Sequence, residues 1–187
     1  RPDDLMSTSS IEAIVSLYAT WGSERYDEEV SQLAHALQCA ALASRDGASN
    51  ELVAAALLHD IGHLFEIERN NGPDHRTDLR HEQTASEFLQ GFFPETVIAP
   101  IAMHVEAKRY LTANEPGYYE ALSYGSQRSL EVQGGPFTAS ECAEFLTLQG
   151  SADAVDLRRW DDHGKVTDLE VPNFDSWIPL LREVAIG

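Results

Sequence analysis

Four of the seven histidines, His35, His59, His81 and His104, and two aspartates, Asp60 and Asp161, stand at apolar-rich positions of segments with helical periodicity. Imidazole and carboxylate are the ligands of iron, zinc and manganese. Taken one at a time, a histidine on an apolar helix face is more often a hydrogen-bonded core residue than a ligand, and Asp161 could pair with Arg158 or Lys165 on its own helix. Taken together, six inward groups need partners that few other inward polar residues can supply. The adjacent pair in "LLHDIGHL", His59 and Asp60, is the sharpest case, because burying an ionised carboxylate without a partner is very costly. Six ligands exceed what one tetrahedral ion uses. They suit two metals if Asp60 lends one oxygen to each.

The elements that must carry these groups read as helices throughout. Ile11 to Tyr18 forms a first, and Val30 to Ser44 a second that holds no charged residue and is therefore enclosed on most sides. "ASNELVAAALLHDIGHL" forms a third, capped by Ser49 or Asn50, on which His59 and Asp60 lie about 100° apart. His81 opens a fourth, "HEQTASEFLQGFF". A fifth runs around Ile101 to Tyr110, with Pro100 near its first turn. It puts His104 and Lys108 one turn apart. After short helices in "YYEALSY" and "GSQRSLEV" and a "QGGPF" turn, Thr138 and Glu141 have capping-box spacing. They precede a long helix carrying Phe145, Leu146, Ala154, Leu157, Trp160 and Asp161. A tail with Pro172, Trp177 and Pro179 packs across the rest. The expected fold is all-α, an irregular bundle of six to eight helices.

Composition narrows the partners. The chain has 187 residues, 43% of them hydrophobic, and a net charge of −18. That is one globular domain whose field disfavours nucleic acid and anionic membranes, while a local cluster of Lys and Arg can still hold a small anion. No apolar run reaches the length of a membrane span. The opening residues 1–5 read as a tag remnant before Met6, which leaves residues 6–187 as a single helical domain. Two cysteines in apolar contexts, Cys39 and Cys142, fit a reducing cytoplasm rather than a disulfide framework.

The order His35, His59-Asp60 and a distant Asp161 resembles the HD-domain superfamily, and His81 and His104 resemble its two-metal branch. "VSQLAHALQCAALA", "LLHDIGHL", "SLEVQGGPF" and "LRRWDDHGK" together resemble the PhnZ-type HD-domain oxygenases, over about Tyr26 to Val171. The resemblance implies an HD-domain helical bundle, a mixed-valent Fe(II)/Fe(III) di-iron centre, and use of O2 to cleave the carbon–phosphorus bond of a 1-hydroxyphosphonate. It implies that His35, His59, Asp60 and Asp161 bind one iron and Asp60, His81 and His104 the other. Asp161 rather than Asp162 is the ligand, because the family's aspartate stands four residues before a lysine, here Lys165. His63, Lys108 and Arg158, with Ser126, Ser129 and Gln133 in the following loop, resemble phosphonate-contacting residues. Glu28 and Tyr26 resemble a lid over one iron, although Tyr26 is one position closer to His35 than the family's tyrosine.

Within that family the chain resembles the member acting on 1-hydroxy-2-(trimethylamino)ethylphosphonate, which yields glycine betaine and phosphate, somewhat more than the primary-amine enzyme that yields glycine. Glu24, Tyr26 and Asp27 are the expected receivers of a quaternary ammonium. A metal-dependent HD phosphohydrolase is the alternative. It explains the His-Asp doublet and the basic residues, but not the "QGGP" loop or the lid-like Glu28. A non-catalytic HD domain fits poorly with six intact ligand positions.

Overall fold

A computed structural model describes residues 2–26, 29–72 and 80–186, with side chains from residue 10 onward. The described residues contain eleven α-helices and one short 3-10 helix and no strand longer than an isolated bridge. In chain order they are α1 (Pro2–Trp21), α2 (Gln32–Arg45), α3 (Asn50–Leu58), α4 (Ile61–Arg69), α5 (His81–Leu89) and α6 (Glu95–Asn114). These are followed by α7 (Tyr118–Ala121), α8 (Tyr124–Val132), α9 (Ala139–Thr147), α10 (Ser151–His163) and, after the 3-10 turn Phe174–Trp177, α11 (Ile178–Val184). None is long and apolar enough to cross a membrane.

The count exceeds the expected six to eight because two runs read as single helices are broken and the tail contributes α11. The first break falls at His59-Asp60, between α3 and α4. The α3 carbonyls left without helical partners there are used at once: His59 Nδ1 donates to Ala56 O at 2.8 Å and Tyr18 Oη donates to Leu57 O at 3.0 Å. The second break falls at Gly150, whose φ of 91° suits glycine and turns the chain between α9 and α10. Pro100 also differs from expectation. The sixth helix starts at Glu95, so Pro100 lies in its second turn, where it has no N–H for the carbonyl four residues back.

Two caps are where the sequence marks them: Ser49 accepts from Leu52 N and Thr138 from Glu141 N, with the Glu141 side chain returning to the Thr138 N–H. The second helix starts later than expected, at Gln32, and Ser31 caps it by accepting from Ala34 N. The centre of the bundle is α3. Its residues Leu52 to Leu58 are all buried, which is what a helix apolar on every side requires. The three small residues Ala54, Ala55 and Ala56 let α2, α6, α10 and α11 approach it closely. The tail packs across the bundle as expected, with Leu181 and Val184 of α11 in the core beside α1 and α3.

Candidate metal centre

Five elements deliver six side chains to one buried point. His35 comes from the middle of α2, His59 and Asp60 from the break between α3 and α4, His81 from the first residue of α5, His104 from the middle of α6, and Asp161 from the last turn of α10. None is more than 5% exposed. The two oxygens of Asp60 face different pairs. Oδ2 lies 3.3 Å from His35 Nε2 and 3.1 Å from His59 Nε2, whereas Oδ1 lies 3.2 Å from His81 Nε2 and 3.6 Å from His104 Nε2. Asp161 Oδ1 closes the first group at 3.0 Å from His35 Nε2 and 3.4 Å from His59 Nε2. The break at His59-Asp60 matters here. It lets neighbouring residues reach the centre from the end of one helix and the start of the next.

The proton inventory of these groups calls for a cation. A carbonyl oxygen can only accept, so Nδ1 carries the proton in His35 (to Gly164 O, 2.8 Å), in His59 (to Ala56 O) and in His104 (to Ile101 O, 2.6 Å). In the neutral ring Nε2 is then a bare lone pair. Yet His35 Nε2 and His59 Nε2 are 3.3 Å apart, and His81 Nε2 and His104 Nε2 are 3.0 Å apart. Asp60 Oδ2 is buried with no hydrogen-bond partner. Lone pairs converging on a carboxylate are a ligand set.

The titration directions agree. Burial lowers His35 and His59, but the pull of Cys39, Asp161 and Asp60 on His35, and of Asp60 and Asp161 on His59, leaves both well above the usual histidine range. Burial would raise the two carboxyls. Instead the surrounding histidines hold Asp60 well below the usual range, and Arg158, then His59 and His35, do the same for Asp161. The centre demands positive charge. Protons supply it only by setting two imidazolium rings against each other, whereas a metal ion supplies it without that repulsion. The donor set therefore fits metal. His35, His59, Asp60 and Asp161 can hold one ion together, and Asp60 can also act with His63 and His81.

A cavity of about 170 Å3 opens onto this centre. Tyr26, His63, Lys108, Ser126, Ser129, Gln133 and Arg158, all singled out from the sequence, line it together with Asp60, His81, His104 and Asp161. Lys108 is 1% exposed and donates to Ser129 Oγ at 2.7 Å. His63 stacks on His81 with ring centroids 4.0 Å apart. Tyr26 stacks on His35 at 3.8 Å and donates from its hydroxyl to Asp161 Oδ1 at 3.2 Å, so it lies against the first ligand group. Glu28 and Asp27 lie outside the described residues, and Glu24 does not line the cavity.

With this geometry in hand, the comparisons decide the family. Residues 31–133 match the HD domain. The chain is 43% identical to hydroxymethylphosphonate dioxygenase of Gimesia maris, over 93% of this chain and 90% of that protein. It is 36% identical to the glycine-betaine-forming [1-hydroxy-2-(trimethylamino)ethyl]phosphonate dioxygenase of Leisingera caerulea, over 93% and 89%. It is 33% identical to an uncharacterized protein of Acanthamoeba polyphaga mimivirus, over 93% and 81%. The chain belongs to the PhnZ-type HD-domain oxygenases.

In this HD-domain oxygenase several site features escaped the sequence reading. Lys165, read there as a possible partner of Asp161 and as the marker that chooses between two aspartates, lines the cavity and donates to Ser126 Oγ at 3.0 Å and Ser123 Oγ at 3.2 Å. Its spacing from Asp161, one helical turn, was the available signal. Gly62 had no signal beyond lying inside "HDIGH". A Cβ there would stand 2.0 Å from the His81 carbonyl oxygen, so only glycine lets α4 approach the start of α5. Asp162 and Tyr118 were also missed. Neither reaches the centre: Asp162 accepts from Arg158, and Tyr118 donates to Asp162.

Proposed function

We propose that this oxygenase uses O2 to cleave the carbon–phosphorus bond of a small 1-hydroxyphosphonate, with hydroxymethylphosphonate the substrate that fits best. The observation that carries the reading is a buried two-sided ligand set adjoining a small cavity walled by Lys108, Arg158 and Lys165. In this reading His35, His59, Asp60 and Asp161 hold one iron, and Asp60, His81 and His104 hold the other. Bound there, an Fe(II)/Fe(III) pair supplies Lewis acidity and the electrons that activate O2. The protein's own part is binding and orientation. Lys108 and Arg158 grip the phosphonate from two walls with charge-assisted hydrogen bonds. Ser126, Ser129 and Gln133 line the third side, and His63 flanks His81. Tyr26, against His35 and Asp161, covers the centre until substrate displaces it. For hydroxymethylphosphonate the balance is HOCH2PO3(2−) + O2 giving formate, HPO4(2−) and H+.

The amine-bearing substrate expected from the sequence keeps the support of the 36% identical relative. Two observations weigh toward the smaller molecule. Among the described residues, the only carboxylates lining the cavity are Asp60 and Asp161, both turned toward the centre. The face of Tyr26, among the described residues the one aromatic ring lining the cavity besides the imidazoles, already carries the Lys165 ammonium at 5.5 Å from its centroid, which is the position a quaternary ammonium would take. The test is to offer iron-loaded protein hydroxymethylphosphonate, 1-hydroxy-2-(trimethylamino)ethylphosphonate and its primary-amine analogue, with and without air. Phosphate release only with O2, and 18O entering the carboxylate product, is the expected result. Equal release without O2 would overturn the oxygenase reading in favour of a phosphohydrolase. The ranking of the three substrates tests the substituent.

A further inference from the structure

The sequence carries two aspartates in succession, Asp161 and Asp162, and the structure separates their tasks. Asp161 turns Oδ1 toward His35 and His59 and Oδ2 toward Arg158, whose Nη1 lies 2.9 Å away. Asp162 does not enter the centre. Its Oδ1 accepts from Arg158 Nε at 2.9 Å and from Nη2 at 2.6 Å, and its Oδ2 accepts from the Tyr118 hydroxyl. Tyr118 comes from α7, is buried, and packs with Leu111 and Leu122. A guanidinium has five N–H groups. Two donate to Asp162 and Nη1 is ion-paired with Asp161 Oδ2; counting one N–H for that pair leaves one on Nη1 and one on Nη2. Arg158 is 4% exposed and its open side is the cavity.

We propose that Asp162 and Tyr118 are positioning residues for substrate: they clamp Arg158 so that its two remaining N–H groups face the cavity as a fork for the phosphonate. The proposal rests on the phosphonate reading above. The physical need is clear from the neighbours. Arg158 and Asp161 sit one helical turn apart, and a planar guanidinium beside a single carboxylate takes it in a two-point grip. Such a grip would draw Asp161 Oδ1 away from His35 and His59 and leave fewer donors for substrate. Asp162 occupies the Nε–Nη2 edge and so prevents it. Tyr118 in turn fixes the rotamer of Asp162, which is partly exposed and would otherwise be solvated. The anchor of the fork is thus on α7, outside the elements that carry the ligands.

The test compares wild type, Asp162→Ala, Asp162→Asn, Tyr118→Phe, Arg158→Ala and the double variant Asp162→Ala/Arg158→Ala. KM and kcat for hydroxymethylphosphonate are measured along with iron content and melting temperature. Asp162→Ala is expected to raise KM by about tenfold, which corresponds to about 1.4 kcal/mol, with two irons retained. Asp162→Asn keeps the oxygen that receives Arg158 and should recover part of that loss. Tyr118→Phe should move KM in the same direction by less, and it decides the matter if Asp162→Ala does not fold. The double variant should be no worse than Arg158→Ala alone, because a residue that acts only through Arg158 has nothing left to position. KM unchanged in both Asp162→Ala and Tyr118→Phe, or penalties that multiply in the double variant, would overturn the proposal. Wild type that releases no phosphate from any of the three phosphonates would instead overturn the functional reading.

Discussion

Gly62→Ala should empty half of the metal centre without unfolding the protein. Gly62 lies in the first turn of α4, two residues after Asp60, and faces the first residue of α5. A Cβ added there would meet His81 O at 2.0 Å and His81 C at 2.7 Å. Ordinary van der Waals contact begins at 3.4 Å, so the His81 backbone must recede by about 1.4 Å from its present position. The clash is with backbone, so no rotamer change relieves it. Overpacking of this kind costs about 1–3 kcal/mol, which a domain with several kcal/mol of stability survives.

The functional cost is larger. His81 is the residue displaced, and its Nε2 must stay near Asp60 Oδ1, now 3.2 Å away. Misplacing a catalytic group by 1 Å can cost about a hundredfold in rate. The assay is iron per chain in purified Gly62→Ala protein, with kcat/KM for phosphate release and a thermal melt. The expected outcome is close to one iron, a fall of about a hundredfold or more in kcat/KM, and a cooperative melt at reduced temperature. A variant that keeps two irons and wild-type kcat/KM would refute the argument that α4 and α5 register the second half of the centre.

Other expectations follow from the same geometry. His81→Ala and His104→Ala should each leave about one metal per chain by elemental analysis, since both face Asp60 Oδ1 and neither faces Asp161. Lys108→Ala should weaken phosphonate binding by about 1.5–3 kcal/mol; an unchanged KM and kcat would reject its role. Thr138→Ala removes the α9 capping box, and should lower stability by about 1 kcal/mol in a denaturant titration while leaving iron content unchanged.

The convergence of the six candidate ligands was legible because such residues break a strong rule. A histidine or aspartate in an apolar helical stripe is out of place, and six of them in order, as "LLHDIGHL" and its distant partners show, add up to more than any set of internal hydrogen bonds. The cavity residues were legible by their spacing from ligands: Lys108 one turn after His104, Arg158 one turn before Asp161. The helix breaks were not. Apolar periodicity continues through His59-Asp60, and nothing local marks the stop, because what stabilises it is tertiary. The freed carbonyls of α3 are taken by the His59 ring and by Tyr18, a residue of α1 far away in sequence. The break at Gly150 was visible as a lone glycine but was outweighed by apolar residues on both sides. Lys165 and Asp162 escaped because charged residues near a helix end are usually solvated, and only the folded neighbours show where they point.

On the function proposed, a protein of net charge −18 must hold a dianion, and the cavity explains how that contradiction is resolved. At physiological salt the screening length is about 8 Å, so exposed carboxylates on the far side of the molecule act weakly on the site. What acts strongly is what is close and poorly hydrated. The cavity wall gathers Lys108, Arg158 and Lys165, the first two almost wholly buried, and the acids that face it, Asp60 and Asp161, are already turned toward the histidines and Arg158. Two metal cations held as proposed would neutralise those two carboxylates and leave the three side-chain charges to meet the phosphonate. An apo protein lacks that neutralisation, so its cavity is less positive by the full charge of the metals. Substrate binding and metal occupancy are therefore linked: each should tighten the other, and the phosphonate site is complete only when the ligand set beneath it is filled.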